Sequence, residues 1–254
     1  MVKNIHFTVS NMKYLVFHLL LILPPITAFA GLALSRDTSK HFWTATGIMV
    51  TLAVLYTTPW DALLISKGIW FYGEDVVTAS LFGIPLGEYL FFILQTIGVS
   101  LYTLYSGFDA EVNSRVLKRY WLAIPFILAS IIGTGMAFFG PENLFYLGAI
   151  LGWACPVISL QWIYGADILV KNGKKLIQAI LIPVVYLSAV DSIAINTGLW
   201  TIQAKTSLGV NILGLPIEEA IFFLTTSTMV VQGVILYVWT VKSGASKRIK
   251  DALK

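Results

Sequence analysis

Seven apolar runs, each long enough to cross a lipid bilayer, divide this chain from one end to the other. A helix needs about 20 apolar residues to span the hydrocarbon core. Runs of that length lie approximately at residues 14–34, 42–64, 85–105, 120–139, 144–168, 176–195 and 216–240. The 12% of charged residues is far below the roughly 25% of a soluble domain, and the mean hydropathy is +0.80. The sequence therefore predicts an all-α integral membrane protein with seven transmembrane helices and no separate soluble domain.

Lys and Arg are shared unevenly between the two sides of this predicted bundle. The loops at 35–41, 106–119 and 169–175, together with the C-terminal tail, hold 13 of the 17 basic residues. Basic residues favour cytoplasmic loops, so we predict an N-terminus outside, a cytoplasmic C-terminus and a place in the cell membrane. The net charge of +4 then reflects topology and indicates no nucleic-acid partner. A signal peptide ending near Ala-Phe-Ala at 28–30 is the alternative for the first run.

Cysteine and histidine contribute little chemistry. Cys155, the single cysteine, precedes Pro156 in the fifth run, where a small buried hydrophobic residue is expected. It excludes an intrachain disulfide and a cysteine cluster for metal. The histidines His6, His18 and His41 have no metal-ligand spacing, so no metal site is predicted. His18 alone lies in an apolar run, where a hydrogen-bonded structural histidine and a proton relay are the alternatives.

Two halves of the chain carry the same unusual residues. Aligning 56–70 with 186–200 matches Tyr56, Asp61, Ile65, Gly68 and Trp70 with Tyr186, Asp191, Ile195, Gly198 and Trp200. After one inserted residue, aligning 83–92 with 214–223 matches Gly83, Pro85, Glu88, Phe91 and Phe92 with Gly214, Pro216, Glu219, Phe222 and Phe223. Chance similarity between apolar helices would match Leu and Ile rather than Asp, Glu, Trp, Gly and Pro. We interpret the chain as an internal duplication.

The duplication predicts an arrangement of the helices. Helices 2 and 3 correspond to helices 6 and 7, and the predicted topology gives both pairs the same direction through the membrane. We therefore predict two parallel three-helix repeats joined by a linking helix 4 within a single membrane domain, 1–254. Repeat 1 is 1–105, the linking helix lies in 106–143, repeat 2 is 144–241, and 242–254 is a basic cytoplasmic tail.

The third and seventh helices each begin with a proline and a glutamate. Pro85 and Pro216 suit the first turn of a helix, where a missing N–H is tolerated. The spacing i, i+3, i+4 then puts Glu88 on one helix face with Phe91 and Phe92, and repeats this in the seventh helix. Each helix is therefore predicted to present a carboxyl beside two aromatic rings.

Two aspartates accompany these glutamates. Asp61 and Asp191 lie near the C-terminal ends of helices 2 and 6, where the helix macrodipole disfavours negative charge. The hydroxyls of Thr58 and Ser188, three residues earlier, are expected to hold these carboxyls in place. Burying carboxylates in a bilayer costs up to roughly 2.5–3.5 kcal/mol each. A functional set is therefore predicted, consisting of Asp61, Glu88, Asp191, Glu218 and Glu219.

Structural roles are the alternative for single members of this set. A glutamate in the first turn interacts favourably with the macrodipole and lies near the interface. Trp70 and Trp200 could be ordinary tryptophans of the interfacial belt. These alternatives explain the aspartates less well, because those lie at the unfavourable ends of their helices.

Carboxyls walled by aromatic rings suit one kind of chemistry. Desolvation raises the pKa of a carboxyl, so one can stay protonated as an acid while a better-solvated neighbour stays a base. Ring faces stabilise a carbocation that water would otherwise capture. These are the requirements of a proton-initiated cyclisation of an alkene.

The paired Pro-x-x-Glu-x-x-Phe-Phe motifs at 85–92 and 216–223, in a duplicated seven-span chain, resemble the membrane-integral lycopene cyclase family of archaea, fungi and some bacteria. In that family the bacterial halves are often separate subunits, whereas archaeal and fungal members are fused, as here. The resemblance implies cyclisation of the ends of lycopene to rings, usually β-rings, giving γ- or β-carotene without net redox change. The unrelated flavoprotein cyclases carry a G-x-G-x-x-G fingerprint that this sequence lacks. No cofactor is implied.

The resemblance places the family's motif glutamates on Glu88, Glu218 and Glu219. The sequence departs from the family pattern at Gly87, where the second repeat has Glu218. We therefore hypothesise that the second repeat hosts the proton chemistry, with Glu218 or Glu219 protonating the terminal double bond. Glu88, Asp61 and Asp191 would tune, orient or accept protons. The polyene tunnel is expected to be lined by Trp60, Trp70, Phe91, Phe92, Trp200, Phe222 and Phe223.

The implied partners are lycopene and the lipid bilayer, with other carotenoid-pathway enzymes, or a rhodopsin that uses the retinal made downstream, as candidate protein partners. A proton-coupled small-solute transporter also fits a parallel duplication with intramembrane acids. A retinal photoreceptor does not fit, because it needs a Schiff-base lysine in the last helix. Between Pro216 and Val241 the sequence has no lysine.

Overall fold

A computed structural model describes residues 14–34, 40–110 and 119–243. Seven helices in these ranges are long and apolar enough to cross a membrane, and their ends lie within one helical turn of the predicted spans. They are α1 (Tyr14–Phe17, a π-helical turn at His18–Ile22, and Leu23–Leu34), α2 (Lys40–Ser66), α3 (Leu86–Ser106), α4 (Arg119–Phe139), α5 (Phe145–Lys171), α6 (Gly173–Asn196) and α7 (Ile217–Lys242). The prediction of an all-α membrane protein is thus confirmed. The first residues of the predicted repeat 1 and nearly all of the predicted tail lie outside the described residues.

Helix α7 is the centre of the bundle. Of its most apolar stretch, 72% of the residues are buried, against 11% for α4. Helices α2, α3, α5 and α6 all pack against α7, whereas α4 packs on the outside against α5. The acids at the start of α7 therefore lie in the middle of the protein.

Glycines bring α4 and α5 into close contact. A Cβ added at Gly148 of α5 would lie 2.7 Å from both the carbonyl oxygen of Gly133 and the amide nitrogen of Ala137. A Cβ at Gly133 would lie 2.5 Å from the Cβ of Leu151. Small residues at such contacts let two membrane helices approach closely enough for backbone packing. Helix α4 is therefore held to the bundle by its fit to α5.

The predicted loops before α3 and α7 contain short β-strands. They are β1 (Trp70–Tyr72), β2 (Ser80–Leu81), β3 (Ile84–Pro85), β4 (Trp200–Ile202), β5 (Asn211–Ile212) and β6 (Leu215–Pro216). β1 pairs antiparallel with β4, so that Phe71 lies opposite Thr201. The hairpins β2–β3 and β5–β6 both turn through a residue and a glycine with positive φ, Phe82–Gly83 and Leu213–Gly214, as type I′ turns require. No local pattern indicated the β1–β4 pair, because its two strands come from different halves of the chain.

Pro85 and Pro216 differ slightly from the prediction. Each ends a strand and takes the N-cap position, one residue before the helix, instead of the first turn. Their φ values of −56° and −57° match the fixed φ of proline, and their ψ values of 141° and 139° are extended. Glu88, Glu218 and Glu219 do lie in the first turns of α3 and α7.

Polar contacts group the helix connections at two ends of the bundle. At one end, the Asp109 amide donates to Asn172 Oδ1 over 2.7 Å, and Lys171 Nζ lies 2.8 Å from Asp109 Oδ2. At the other end, Lys205 Nζ lies 2.7 Å from Glu142 Oε2. The connections after α3 and α5 therefore share one end, and those after α4 and α6 share the end that carries the strands.

The glycine contact can be tested by filling it. We expect Gly148→Leu to lower the free energy of unfolding by about 1–3 kcal/mol, because the new side chain meets the backbone of α4. Gly135→Leu is the matched control, since an added Cβ there meets nothing within 4 Å. Thermal unfolding in detergent measures both. Equal stability of the two variants would contradict the packing described for α4.

Candidate active site

A cavity of about 60 Å³ lies at the strand-bearing end of the bundle. Every helix except α4 contributes to its lining, as do strands β1 and β4. It brings together nearly all of the predicted site residues, namely Asp61, Glu88, Asp191, Glu219, Trp60, Trp70, Phe91, Phe92, Trp200, Phe222 and Phe223. Glu218 is the predicted site residue that does not line it.

The second half of the chain contributes Glu219 and Asp191. The Tyr146 hydroxyl donates to Glu219 Oε1 over 2.7 Å, and Trp200 Nε1 donates to Asp191 Oδ1 over 2.9 Å. Asp191 Oδ2 is buried with no hydrogen-bond partner among the described residues. Asp191 is therefore held by one oxygen, which leaves its other oxygen for a different task.

The first half contributes Glu88 and Asp61. Glu88 Oε1 accepts two hydrogen bonds of 2.8 Å, one from the Tyr14 hydroxyl and one from the Tyr72 hydroxyl. Burial raises the pKa of Tyr72, and the neighbouring Glu88 carboxylate raises it further, so this phenol stays protonated and donates. Asp61 is fully buried, and its Oδ2 has no partner in the described part of the chain.

The predicted hydroxyl clamps on the aspartates are wrong. Thr58 Oγ1 donates to the Val54 carbonyl over 2.6 Å, which is the usual bond of a threonine to its own helix backbone. The Ser188 hydroxyl is buried without a partner among the described residues. The hydrogen bond to Asp191 that was expected from Ser188 is instead made by the indole of Trp200, nine residues after Asp191.

Glu218 points away from the cavity into the connection before α7. It is fully buried, and its Oε1 accepts from the Ser207 hydroxyl at 3.0 Å and the Leu208 amide at 2.6 Å. At the matching position of α3, a Cβ on Gly87 would overlap the Tyr14 ring. Tyr14 also donates its amide to the Val76 carbonyl at 3.3 Å. A glutamate in one half and a tyrosine in the other therefore anchor the connection that precedes each motif helix.

Aromatic rings wall the cavity on several sides. The rings of Trp60, Trp153 and Phe222 form a cluster in which Trp60 lies 4.6 Å from Trp153 and 5.7 Å from Phe222 between centroids, and Trp153 lies 6.3 Å from Phe222. Trp200 packs against Tyr14 at 5.1 Å, and Trp70 packs against Tyr146 at 5.7 Å. The predicted alternative of interfacial belt residues therefore does not describe these two tryptophans, because both line the cavity.

The four carboxyls Asp61, Glu88, Asp191 and Glu219 line one cavity of about 60 Å³. No Lys or Arg is among the described residues that line the cavity. Because like charges in a poorly solvated space cannot all ionise, this group must hold protons in common. These carboxyls are therefore suited to hold a proton beside the aromatic rings of the cavity and to transfer it to an apolar molecule bound there.

Three tyrosines were missing from the predicted site. Tyr14, Tyr72 and Tyr146 all line the cavity and donate to its glutamates. A signal for two of them was present, because one further alignment of the halves matches Tyr14-Leu15 with Tyr146-Leu147 and Pro24 with Pro156. Extending the repeat to the first and fifth helices would have revealed the pair. Tyr72 has no such signal, since its counterpart in the second half is Ile202.

Two predictions about single residues have a clear outcome. Cys155 is buried in α5, as expected of a small hydrophobic residue. His18 Nδ1 lies 2.8 Å from the Tyr14 carbonyl oxygen, as expected of a hydrogen-bonded histidine, while its Nε2 is buried without a partner among the described residues.

Comparison with known proteins agrees with the cavity chemistry. The family model described as "Lycopene cyclase" matches residues 11–108 and 143–239. A "Lycopene beta-cyclase" of Halobacterium salinarum is 37% identical over 235 residues, which cover 89% of this chain and 96% of the relative. A "Bifunctional lycopene cyclase/phytoene synthase" of Aspergillus niger is 37% identical over 74% of this chain and 34% of its own length. No solved structure matches. The chain therefore belongs to the lycopene cyclase family.

Proposed function

We propose that this protein converts the acyclic ends of lycopene to β-rings, forming γ- and β-carotene. The observation that carries this proposal is the single cavity in which four carboxyls face aromatic rings with no basic side chain among its described lining. The 37% identity to a halobacterial relative named lycopene beta-cyclase supports the same substrate and ring type. A transporter gains no support from the relatives.

The proposed reaction moves one proton in and one proton out. A carboxyl donates a proton to the terminal double bond of the polyene, which leaves a carbocation. The electrons of a nearby double bond then close a six-membered ring and shift the positive charge within it. A carboxylate removes a ring proton, and its C–H electrons restore a double bond. The product is an isomer of the substrate, and the cavity recovers its original number of protons.

Glu219 is the proposed donor. Tyr146 donates to Oε1 of this residue, so a protonated Glu219 must carry its own hydrogen on Oε2. Phe222, one helical turn away on α7, stacks with Trp60, and these ring faces would stabilise the carbocation as it forms. Glu218 is left out of the proposed chemistry, because it does not line the cavity and its Oε1 accepts from Ser207 and Leu208.

Glu88 is the proposed acceptor of the ring proton. Two phenol hydroxyls donate to its Oε1, against one for Glu219. Hydrogen bonds to a carboxylate favour its charged form, so Glu88 is better suited than Glu219 to act as the base. Asp61 and Asp191, each with an unpartnered buried oxygen in the described structure, would exchange protons with these glutamates between turnovers.

We also propose that the bundle is a duplication with unequal halves joined by α4. Two separate matches to one family model support it, as do the paired hairpins at Phe82–Gly83 and Leu213–Gly214. The halves are unequal where Gly87 replaces Glu218 and where Tyr72 has no phenol counterpart. The proton donor and the base would then come from different halves of a formerly symmetric site.

The proposed location is the cell membrane, with the strand-bearing end of the bundle outside. The distribution of basic residues supports this orientation, since 13 of 17 lie on the other side or in the tail. Association with other carotenoid-pathway enzymes, or with a rhodopsin, stays a prediction of the family resemblance.

Cysteine labelling tests the orientation. Cys155 is buried and is the only cysteine, so one introduced thiol reports its own side of the membrane. We expect Phe82→Cys, at an exposed hairpin tip, to react with a membrane-impermeant maleimide in intact cells. Lys174→Cys, exposed in the first turn of α6, should react only after the membrane is opened. The reverse pattern would overturn the proposed orientation.

Replacing single glutamates with glutamine tests which residue donates the proton. In a bacterial strain that accumulates lycopene, we expect Glu219→Gln to reduce ring formation at least about 100-fold, because the amide cannot give up a proton in this way. Glu218→Gln should retain at least about a tenth of the activity, since its amide oxygen can still accept from Ser207 and Leu208. Chromatography of the pigments, with each variant quantified in the membrane, measures the difference. Normal conversion by Glu219→Gln would refute its assignment.

Removing a phenol tests how Glu219 is held. Tyr146→Phe leaves Glu219 Oε1 without its donor, and we expect a loss of about tenfold in activity, smaller than that of Glu219→Gln. Tyr164→Phe is the matched control, because this tyrosine bonds to Thr240 far from the cavity. Initial rates in membranes supplied with lycopene give the comparison. Equal rates for both variants would mean that Tyr146 does not position the donor.

A further inference from the structure

Two apolar grooves adjoin the cavity, one on each side of the bundle. The first lies between α2, α5 and α7, has a volume of about 230 Å³, and is lined in part by Leu52, Tyr56 and Val230. The second lies between α6, α1 and α3, has a volume of about 220 Å³, and is lined in part by Ile182, Tyr186 and Val99. We call them the α2–α5–α7 groove and the α1–α3–α6 groove.

The grooves occupy matching places in the two halves. The alignment of the halves pairs Leu52 with Ile182, Tyr56 with Tyr186, and Val230 with Val99. Even a hydrogen bond is matched, because Tyr56 donates to the Trp153 carbonyl of α5 and Tyr186 donates to the Leu21 carbonyl of α1. Gln95 lines both grooves and donates to Thr226, its own counterpart in α7, over 2.8 Å. Any difference between the grooves therefore lies in their side chains.

A cluster of stacked aromatic rings lies between the first groove and the cavity. The centroid of Tyr56 lies 5.5 Å from that of Trp153, and Trp153, Trp60 and Phe222 lie 4.6, 5.7 and 6.3 Å from one another, with interplanar angles of no more than 21°. The second groove has rings of its own, Phe29, Tyr102 and Tyr186, of which Phe29 and Tyr102 meet edge to face at 5.0 Å. At the corresponding places of the other half, Trp60 is replaced by Val190 and Trp153 by Leu21. The ring cluster therefore connects the cavity with the groove on this side of the bundle.

Two phenylalanines join the groove to the cavity. Phe92 and Phe222 line both the cavity and the α2–α5–α7 groove. The α1–α3–α6 groove is lined by the rings of Phe29, Tyr102 and Tyr186, but among the described residues it has only the aliphatic Leu187 in common with the cavity. Conjugated chains gain more from flat ring surfaces than from branched aliphatic side chains, because stacked π-systems add to the burial of apolar area.

The α2–α5–α7 groove also opens towards lipid. Leu52 lines it and is 52% exposed. Along α7 the groove extends from Phe222 to Val230, which is about 12 Å at 1.5 Å per residue. An apolar substrate dissolved in the bilayer could therefore enter from the side, with no passage through water.

We infer that the α2–α5–α7 groove is the binding site for the conjugated chain of the polyene while one end of the substrate occupies the acid cavity. The inference rests on the proposed cyclase function, because it assigns the cavity of about 60 Å³ to the reacting end alone. The rest of a long rigid chain must then leave the cavity along a surface of this protein. The cluster of Tyr56, Trp153, Trp60 and Phe222 provides an aromatic surface that is continuous with the cavity, and in the described structure the rings of the other groove do not line the cavity.

Blocking each groove in turn tests the inference. Leu52 and Ile182 are matched in position and in exposure, at 52% and 50%, so tryptophan at either site disturbs folding to the same small degree. We expect Leu52→Trp to lower the initial rate of lycopene cyclisation at least about tenfold, through obstruction of productive binding. Ile182→Trp should stay within about twofold of the parent. Membranes that contain equal amounts of each variant, supplied with lycopene, give these rates.

A second matched pair lies deeper in the grooves. Val230→Phe and Val99→Phe add the same ring to the α2–α5–α7 groove and the α1–α3–α6 groove, respectively. Both valines are buried, so thermal unfolding of the two variants is measured alongside the rates. If the two variants unfold at comparable temperatures, we expect only Val230→Phe, and not Val99→Phe, to reduce the rate of lycopene cyclisation. A stronger effect of Val99→Phe or Ile182→Trp, or equal effects within the pairs, would overturn the inference.

Binding separates this inference from the proposed chemistry. In the Glu219→Gln background, lycopene that copurifies with the protein is measured by absorption after extraction. Adding Leu52→Trp should reduce the bound lycopene at least about fivefold, and adding Ile182→Trp should not. If Glu219→Gln stays active, the donor assignment fails while the groove comparison still stands. If lycopene binds equally to both double variants, the groove assignment fails whatever the role of Glu219.

Discussion

The bundle depends on keeping four carboxyls together in an apolar interior. Asp61, Glu88, Asp191 and Glu219 lie around one cavity, and no basic side chain among its described lining balances them. A charge without a counter-ion is costly in such surroundings, so the group is tolerable only if it shares protons and if polar neighbours donate to it. Three phenols and one indole do so. The strands, the positions of α1 and α5, and the aromatic wall all serve to bring these donors to the acids.

The two halves of the chain use different residues to hold the cavity glutamate and the connection before it. In the first half, Tyr14 fills the space beside Gly87, donates to Glu88 and helps to hold the connection at Val76. In the second half these tasks are divided, because Tyr146 donates to Glu219 while Glu218 holds the connection. In the proposed reaction Glu218 thus has a structural role, because it does not line the cavity. Its neighbour, one position along α7, faces the cavity because successive helical residues point in different directions around the helix axis.

Much of this protein could be predicted from the sequence. Apolar runs located all seven helices, since helix length in a bilayer is set by its thickness. The repeat of Asp, Glu, Trp and Phe predicted which residues would gather, because matched polar residues in apolar helices are costly unless they meet. The predicted contacts of Thr58 and Ser188 with the aspartates were wrong, because sequence spacing does not show which acceptor a hydroxyl uses. Thr58 donates to its own helix backbone, and the Ser188 hydroxyl has no partner among the described residues. Sequence spacing also failed to indicate Tyr72, which reaches Glu88 from a strand whose pairing partner lies in the other half of the chain.

The β1–β4 pair bears on how such a site can be assembled. Its backbone hydrogen bonds, with those of Gly73 to Leu199 and Gln203 to Ile69, fasten one half of the bundle to the other beside the cavity. Helix α4 contributes nothing to the cavity lining and packs on the outside against α5. Its covalent link therefore acts as a tether that raises the effective concentration of one half near the other. Two separate polypeptides with the same strand edges and the same donors could build this site without it, provided that they meet in the membrane.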